Sequence, residues 1–265
     1  MNNNMRNAEA EEKINFNRSF MKCPEFYSVM QNSDQSKKLT QPPLCKEAKG
    51  EIINISADFD KVISQKAYSK LLDIRRSERV FNASEPMSQA ELAFLLWSTQ
   101  GIQEIRGESY AALRPVPSGG ARHPFETYAV LRNVQDLKPG IYHYLPQQNV
   151  GSKDVSIEFL GELDNIDSRI VEMVAGQKWV AQTSALFLWA CVAYRGEWRY
   201  GTLSHRVLLI DAGHVGQNAM LSASAMGIGS CCIAAYNQNT CDKLLGLDGY
   251  DEFTVYACAF GKPKK

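Results

Sequence analysis

Three arginines and a serine fall within five residues, at Arg75, Arg76, Ser77 and Arg79. Guanidiniums donate in a planar fork and the hydroxyl adds a further donor, so this spacing suits a phosphate or another planar anion. It equally suits a solvated basic cluster that completes the C-terminus of a helix. A second dense stretch is RPVPSGGARHPFE, residues 114–126. Its Pro117-Ser118-Gly119-Gly120 run either lets backbone approach a flat or anionic ligand without a Cβ in the way, or forms an elaborate turn. Arg122 and His123 in the same stretch serve either a cofactor or an interface. Cys231 and Cys232 could be activated as nucleophiles by His205 or His214, but each histidine also fits a helix surface or a packed position.

Several chemistries are missing. GIGSCCIAAYN follows a helix-like segment instead of opening one, so it is not a dinucleotide fingerprint. There is no GxxxxGK[ST] and no GxSxG. The four histidines, at 123, 143, 205 and 214, lack HExxH or CxxC spacing, and no metal site is expected.

Bulk composition agrees with a globular catalyst or binding protein. The chain has 265 residues, 45% hydrophobic and 22% charged, enough for a substantial core. Lys+Arg and Asp+Glu both number 29, so no net field invites nucleic acid. The longest apolar run, ALFLWACVAY at 185–194, is too short to span a membrane. The N-terminus lacks an apolar secretory stretch, and the seven cysteines are odd in number without CxxC pairs. The expectation is a cytoplasmic protein with free thiols, Cys191 and Cys258 lying in the core.

The elements that must position these residues follow from periodicity. Residues 1–51 read as an extended N-terminal arm, and a globular domain as residues 52–265. In DFDKVISQKAYSKLLDI, residues 58–74, Val62, Ile63, Ala67, Leu71 and Ile74 share helical spacing, so one helix is expected there, ahead of the arginines. SQAELAFLLWSTQG is a second helix with a Ser88–Glu91 capping box and Gly101 at its end. Strands are expected at 127–132, 140–145 and 156–161, a helix over DSRIVEMVAG, and a buried central strand at 185–194. A long helix is expected over 204–227 with Ser204 as N-cap, its Gly213 and Gly216 permitting close helix–helix packing. A short helix and a last core strand at 253–261 complete an α+β pattern.

Taken in order, RRSERVF, LAFLLWSTQGI, LRPVPSGGARHPFETYAV, GIYHYLP, WRYGTLSHRVLLIDAGHVGQNAMLSASAMGIG and YACAFGKP resemble the nitroreductase superfamily, and within it the SagB-type dehydrogenase branch. The resemblance runs from about Ile52 to the C-terminus. It implies a central mixed β-sheet flanked by helices, in an intertwined homodimer with FMN at the subunit interfaces. It further implies that Arg75, Arg76, Ser77 and Arg79 hold FMN from one subunit. Of these, the first arginine would face the phosphate and the last the pyrimidine edge. Pro117, Ser118, Gly119, Gly120 and Ala121 would edge the ring from the other subunit. Cys232, Ile233, Ala234 and Ala235 match the segment passing over the ring, and Lys262 the basic group near the phosphate, with Lys264 a second.

The activity so implied is FMN-dependent reduction of a nitroaromatic, quinone or related small molecule, with NAD(P)H as electron donor. One alternative is dehydrogenation of a modified peptide with a partner protein, and another is a flavin-binding scaffold without turnover. Azoline-oxidising members carry Lys-Tyr where this chain has Arg199-Tyr200. Arg199 cannot act as a base near neutral pH, whereas Tyr200 could exchange a proton. The usual acidic residue over the ring is Ala234 here.

Overall fold

The computed structural model describes residues 8–22 and 25–264. In chain order the elements are α1 (Ala8–Phe20), α2 (Phe26–Gln31), β1 (Ile52–Ile55), α3 (Phe59–Val62), α4 (Tyr68–Ile74), α5 (Gln89–Gln100), β2 (Glu104–Arg106), β3 (Ala111–Leu113), β4 (Phe125–Leu131), β5 (Gly140–Tyr144) and β6 (Val155–Gly161). They continue as α6 (Ile166–Met173), β7 (Ala185–Val192), α7 (Ala193–Tyr200), α8 (Ser204–Ala225), β8 (Gly229–Ile233), α9 (Gln238–Leu245) and β9 (Glu252–Gly261). Seven strands form one sheet in the order β1-β6-β5-β4-β7-β9-β8. Every ladder between these strands is antiparallel. The parallel component of the sheet is an isolated bridge in which Ser77 joins Ser230 at the β8 edge.

Alternation along the strands divides the core in two. Phe187, Trp189, Cys191, Cys258 and Phe260 face Leu92, Leu96, Ala212, Val215 and Ala219 of α5 and α8. Leu186, Leu188, Ala190, Ala257 and Ala259 face Ile170, Met173, Cys241 and Leu245 of α6 and α9. β7 is therefore buried on both sides, as its unbroken apolar run implies. The α5 capping box forms as read: Ser88 Oγ accepts from the Glu91 N–H, and the Glu91 carboxylate from the Ser88 N–H.

Four local expectations need correction. The arm is not extended throughout, because α1 and α2 lie within it. In α1, Glu9 and Glu11 occupy the first turn, Arg18 the last, and Lys13 pairs with Glu9, all favourable to a helix despite its mixed polarity. The single helix expected over 58–74 is broken, since Ser64 and Gln65 both donate to the Ala225 carbonyl at the end of α8. Ser204 does not cap α8; it is already helical and buried, its hydroxyl occupying the space a Cβ on Gly196 would need. Gly216 packs against Tyr256 and Cys232 of the sheet, not another helix, and a Cβ on Gly213 would meet open space.

Candidate functional site

The arginine segment leaves α4 and runs along the open edge of β8. The Glu78 N–H donates to Ser230 O, Asn82 N–H to Lys262 O, and Lys264 N–H to Val80 O. Arg75, Arg76, Ser77 and Arg79 are thereby brought beside Cys231, Cys232 and the C-terminal strand end. None of the three arginines forms an ion pair among the described residues. Among the described residues, Arg76 donates only to the Arg75 carbonyl and Arg79 at 3.5 Å to the Ser77 carbonyl. The intervening Glu78 is engaged by the N–H groups of Arg79 and Val80. Three neighbouring guanidiniums without a carboxylate partner form a donor set that fits the phosphate of FMN. Lys262 is different: its Nζ is 2.5 Å from the Glu91 carboxylate of the α5 capping box. Ile233 is buried, while Ala234 and Ala235 follow the strand and are exposed.

The Pro117–Ala121 loop lies elsewhere. Ser118 Oγ donates to Asp211 of α8 at 2.6 Å and accepts from the His123 N–H at 2.9 Å. The Gly119 N–H donates to the same carboxylate at 3.1 Å. Asp211 is buried, which pushes its carboxyl above the ordinary range against the opposing bonds from Ser118 and Gly119. Gly120 has φ +59°, and a Cβ there would lie 2.6 Å from Arg199 Cδ and Tyr200 Oη. A Cβ on Gly119 would collide with Val207. The close approach that demands two glycines is thus to α7 and α8 of the same chain. Arg199 is pinned by Tyr110 Oη at 2.5 Å and Gln35 Oε1 at 3.1 Å.

Arg122 and His123 are interior residues and present nothing to a cofactor or a second subunit. Arg122 is 2% exposed, stacked between Tyr110 and Trp198, and donates to the Arg195 and Tyr110 carbonyls. Burial, reinforced by the nearby Arg114, drives the His123 imidazole down to about 2, so it is neutral.

One helix separates the two groups of expected site residues. Val207 and Asp211 hold the Ser118–Gly120 loop, whereas Arg76 shares a surface depression with Ser224, Gly227 and Gly229. Thirteen residues at about 1.5 Å rise place Ser224 roughly 20 Å beyond Asp211 along α8. Between them the helix exposes Gly213, His214 and Gln217.

A buried charge cluster was not foreseen. Glu126 and His143, each about 3% exposed, are 2.9 Å apart. Glu126 also accepts from Arg195 at 2.5 Å and from the Lys46 N–H at 2.9 Å. Arg195 donates further to the Pro43 carbonyl, and the Lys49 N–H reaches Glu158 at 2.5 Å. Burial opposes ionisation of Glu126, but Arg195 and then His143 outweigh it and hold the carboxyl at about 2. The cluster straps residues 43–49 to the sheet. Its sequence signal was faint: Glu126 and Glu158 stand in strand-like runs where apolar residues are expected.

A family model described as "Nitroreductase family" matches residues 72–262. The chain belongs to the nitroreductase family. It is 28% identical over 184 residues, 68% of this chain and 86% of the relative, to "Putative nitroreductase MJ1384" of Methanocaldococcus jannaschii. It is 26% identical to the microcin B17-processing protein McbC of Escherichia coli over 51% of this chain and 49% of McbC. Among solved structures, a nitroreductase-like protein from Anabaena variabilis aligns with TM-score 0.58 and 26% identity over 74% of this chain and 38% of that one. The E. coli microcin synthetase McbBCD complex with truncated pro-MccB17 bound aligns with TM-score 0.61 and 19% identity, over 98% of this chain and 95% of that one. A nitroreductase-like structure in complex with FMN from Exiguobacterium sibiricum aligns with TM-score 0.53 and 12% identity, over 76% of this chain and 90% of that one. This chain therefore spans about half of McbC and 38% of the Anabaena protein. Among the described residues, no helix is long and apolar enough to cross a membrane.

Proposed function

We propose that this protein is an FMN-dependent oxidoreductase that works as a homodimer with a flavin at each of two interfaces. The observation that carries the reading is the separation of its two walls. The Ser118–Gly120 loop is held at Val207 and Asp211 in the first half of α8, whereas Arg76, whose guanidinium has no carboxylate partner among the described residues, lies by Ser224 near the far end, with exposed Gly213 and His214 between them. A flavin touching both kinds of wall takes one from each of two chains.

Bound FMN would supply two-electron hydride chemistry. Arg75 would anchor the phosphate and Arg79 would stabilise negative charge at the pyrimidine edge. Lys262 ranks behind Arg75 as a phosphate donor, because Glu91 already holds it. The segment from Cys232 to Ala235 would offer backbone beside the ring. The Pro117–Ala121 loop of the second copy would form the opposite wall, its shape fixed by Asp211. Tyr200 could hold or release a proton at Oη beside Gly120. Arg199, pinned by Tyr110 and Gln35, orients Tyr200 and takes no proton.

NAD(P)H is the proposed electron donor, and a nitroaromatic, quinone or unsaturated small molecule the acceptor. The near end-to-end alignment with the microcin synthetase structure favours a second reading: dehydrogenation of a modified peptide alongside a partner protein. Anaerobic titration of the purified protein separates the two. Bleaching of an oxidised-flavin spectrum by NADH or NADPH supports the first reading. A yellow protein that neither nucleotide bleaches refutes the first reading, and binding of a leader peptide then supports the second over a flavin scaffold without turnover; a colourless protein that does not bind added FMN refutes all three.

A further inference from the structure

Cys232 and Cys258 stand directly opposite each other on β8 and β9. The backbone fixes which kind of pair they form. The Ser230 carbonyl accepts from Glu78, and the Phe260 carbonyl from Ser184, so both point away from the β8–β9 ladder. Ser230 and Phe260 are partners in that ladder, and therefore form a non-hydrogen-bonded pair. No bulge intervenes between them and Cys232 and Cys258 two residues away, so these cysteines form a pair of the same kind. At such pairs Cα atoms approach to about 4.5 Å and side chains come closest, which lies inside the range a disulfide spans.

Both thiols lie on the α8 face of the sheet. Cys258 is fully buried in that half of the core, and Cys232 packs against it with partial exposure. Cys232 Sγ sits under Gly216, 3.6 Å from its carbonyl, and the missing Cβ of Gly216 leaves room for it. Cys231 is buried and points to the opposite face, pairing with Ala259.

We propose that Cys232 and Cys258 form a peroxide-sensitive dithiol, a redox modification site that closes to a cross-strand disulfide. Cys232 is the attacking sulfur. Hydrogen bonding with Cys258 and then Tyr256, with Arg75 beyond, holds its thiol below the ordinary range although burial opposes this. Cys258, raised by burial, is the resolving thiol. The Cys232 sulfur attacks one oxygen of hydrogen peroxide, the O–O bond breaks, and Cys232 sulfenic acid and one water form. The Cys258 sulfur then attacks the sulfenic sulfur; the S–S bond forms and the hydroxyl leaves as a second water with the thiol proton. Two thiols and one peroxide give one disulfide and two waters, and two electrons pass from sulfur to oxygen. The inference stands on strand register and does not depend on the flavin reading.

The test is hydrogen peroxide treatment of the full-length protein as purified, followed by alkylation and mass mapping. The expected result is loss of two hydrogens, a Cys232–Cys258 crosslink, and recovery of both thiols with dithiothreitol. Cys231→Ala keeps the crosslink, whereas Cys258→Ala stops at a Cys232 sulfenic acid captured by a 1,3-dione. The wild-type map stands even if a variant misfolds. Cys232 and Cys258 both remaining fully alkylatable after peroxide, or a crosslink joining other cysteines, overturns the proposal.

Discussion

Replacing Arg195 with methionine should release the strap and strand a charge in the interior. Arg195 and Glu126 are each 3% exposed and 2.5 Å apart. Methionine keeps most of the length of the side chain but offers Glu126 no charge and Pro43 no donor. Glu126 would then keep only His143 and the Lys46 N–H. Breaking a buried pair by removing one partner costs about 3–5 kcal/mol, because the survivor is left uncompensated. A Coulomb figure of about 4 kcal/mol for unit charges roughly 4 Å apart at an effective dielectric near 20 lies in the same range. Urea unfolding followed by tryptophan fluorescence, at fixed protein concentration, reads the loss. Tryptic cleavage after Lys46 and Lys49 reads the strap, and should accelerate in Arg195→Met. Adding Glu126→Gln removes the stranded charge and should restore about 2 kcal/mol. A loss under about 1 kcal/mol with unchanged cleavage would refute the claim that this cluster holds the arm.

Four further outcomes follow from named contacts. His123 has a folded value of about 2 against 6.5 unfolded, so the unfolded chain binds the extra proton. Its contribution is intact above pH 6.5 and falls by about 1.4 kcal/mol per pH unit as pH drops toward 2; His123→Asn, which tolerates the positive φ of 43°, should flatten the slope between pH 6.5 and 4.5 in acid-unfolding curves. Gly120→Ala should cost about 2 kcal/mol, from left-handed strain and contact with Arg199 and Tyr200, measured as a lowered urea midpoint. Ser88→Ala should cost about 1 kcal/mol through the lost cap of α5, read by the same assay. Arg75→Ala should lower flavin occupancy at unchanged stability, whereas Arg122→Ala should chiefly destabilise the fold; equal occupancy with equal stability in the two would count against the phosphate assignment.

Most elements were legible because their signals are local. The α5 capping box, the apolar run of β7 and the strand-like runs of β4 and β9 each lie within a dozen residues, and each formed. The dense turn at 114–126 was legible as a special backbone, but its cause was not. Arg122 reads from the sequence as a cofactor or interface group, whereas Tyr110 and Trp198 close over it, and the two glycines answer to Arg199, Tyr200 and Val207, some 80 residues further on. Asp211, in an apolar helix, gave no sign that it would fasten Ser118 and Gly119. The long helix expected over 58–74 failed for the same reason, since a distant carbonyl at Ala225 broke it.

The sequence alone determined the α+β class, the longest helices and strands and the family, because periodicity, caps and motif order are properties of neighbours along the chain. Only the tertiary structure decided which charges are buried together and which thiols face each other. It also decided that Arg76 and the Ser118–Gly120 loop meet different stretches of one helix. Those outcomes depend on strand register and on contacts between residues far apart in sequence, where a shift of one residue would turn each side chain to the other face.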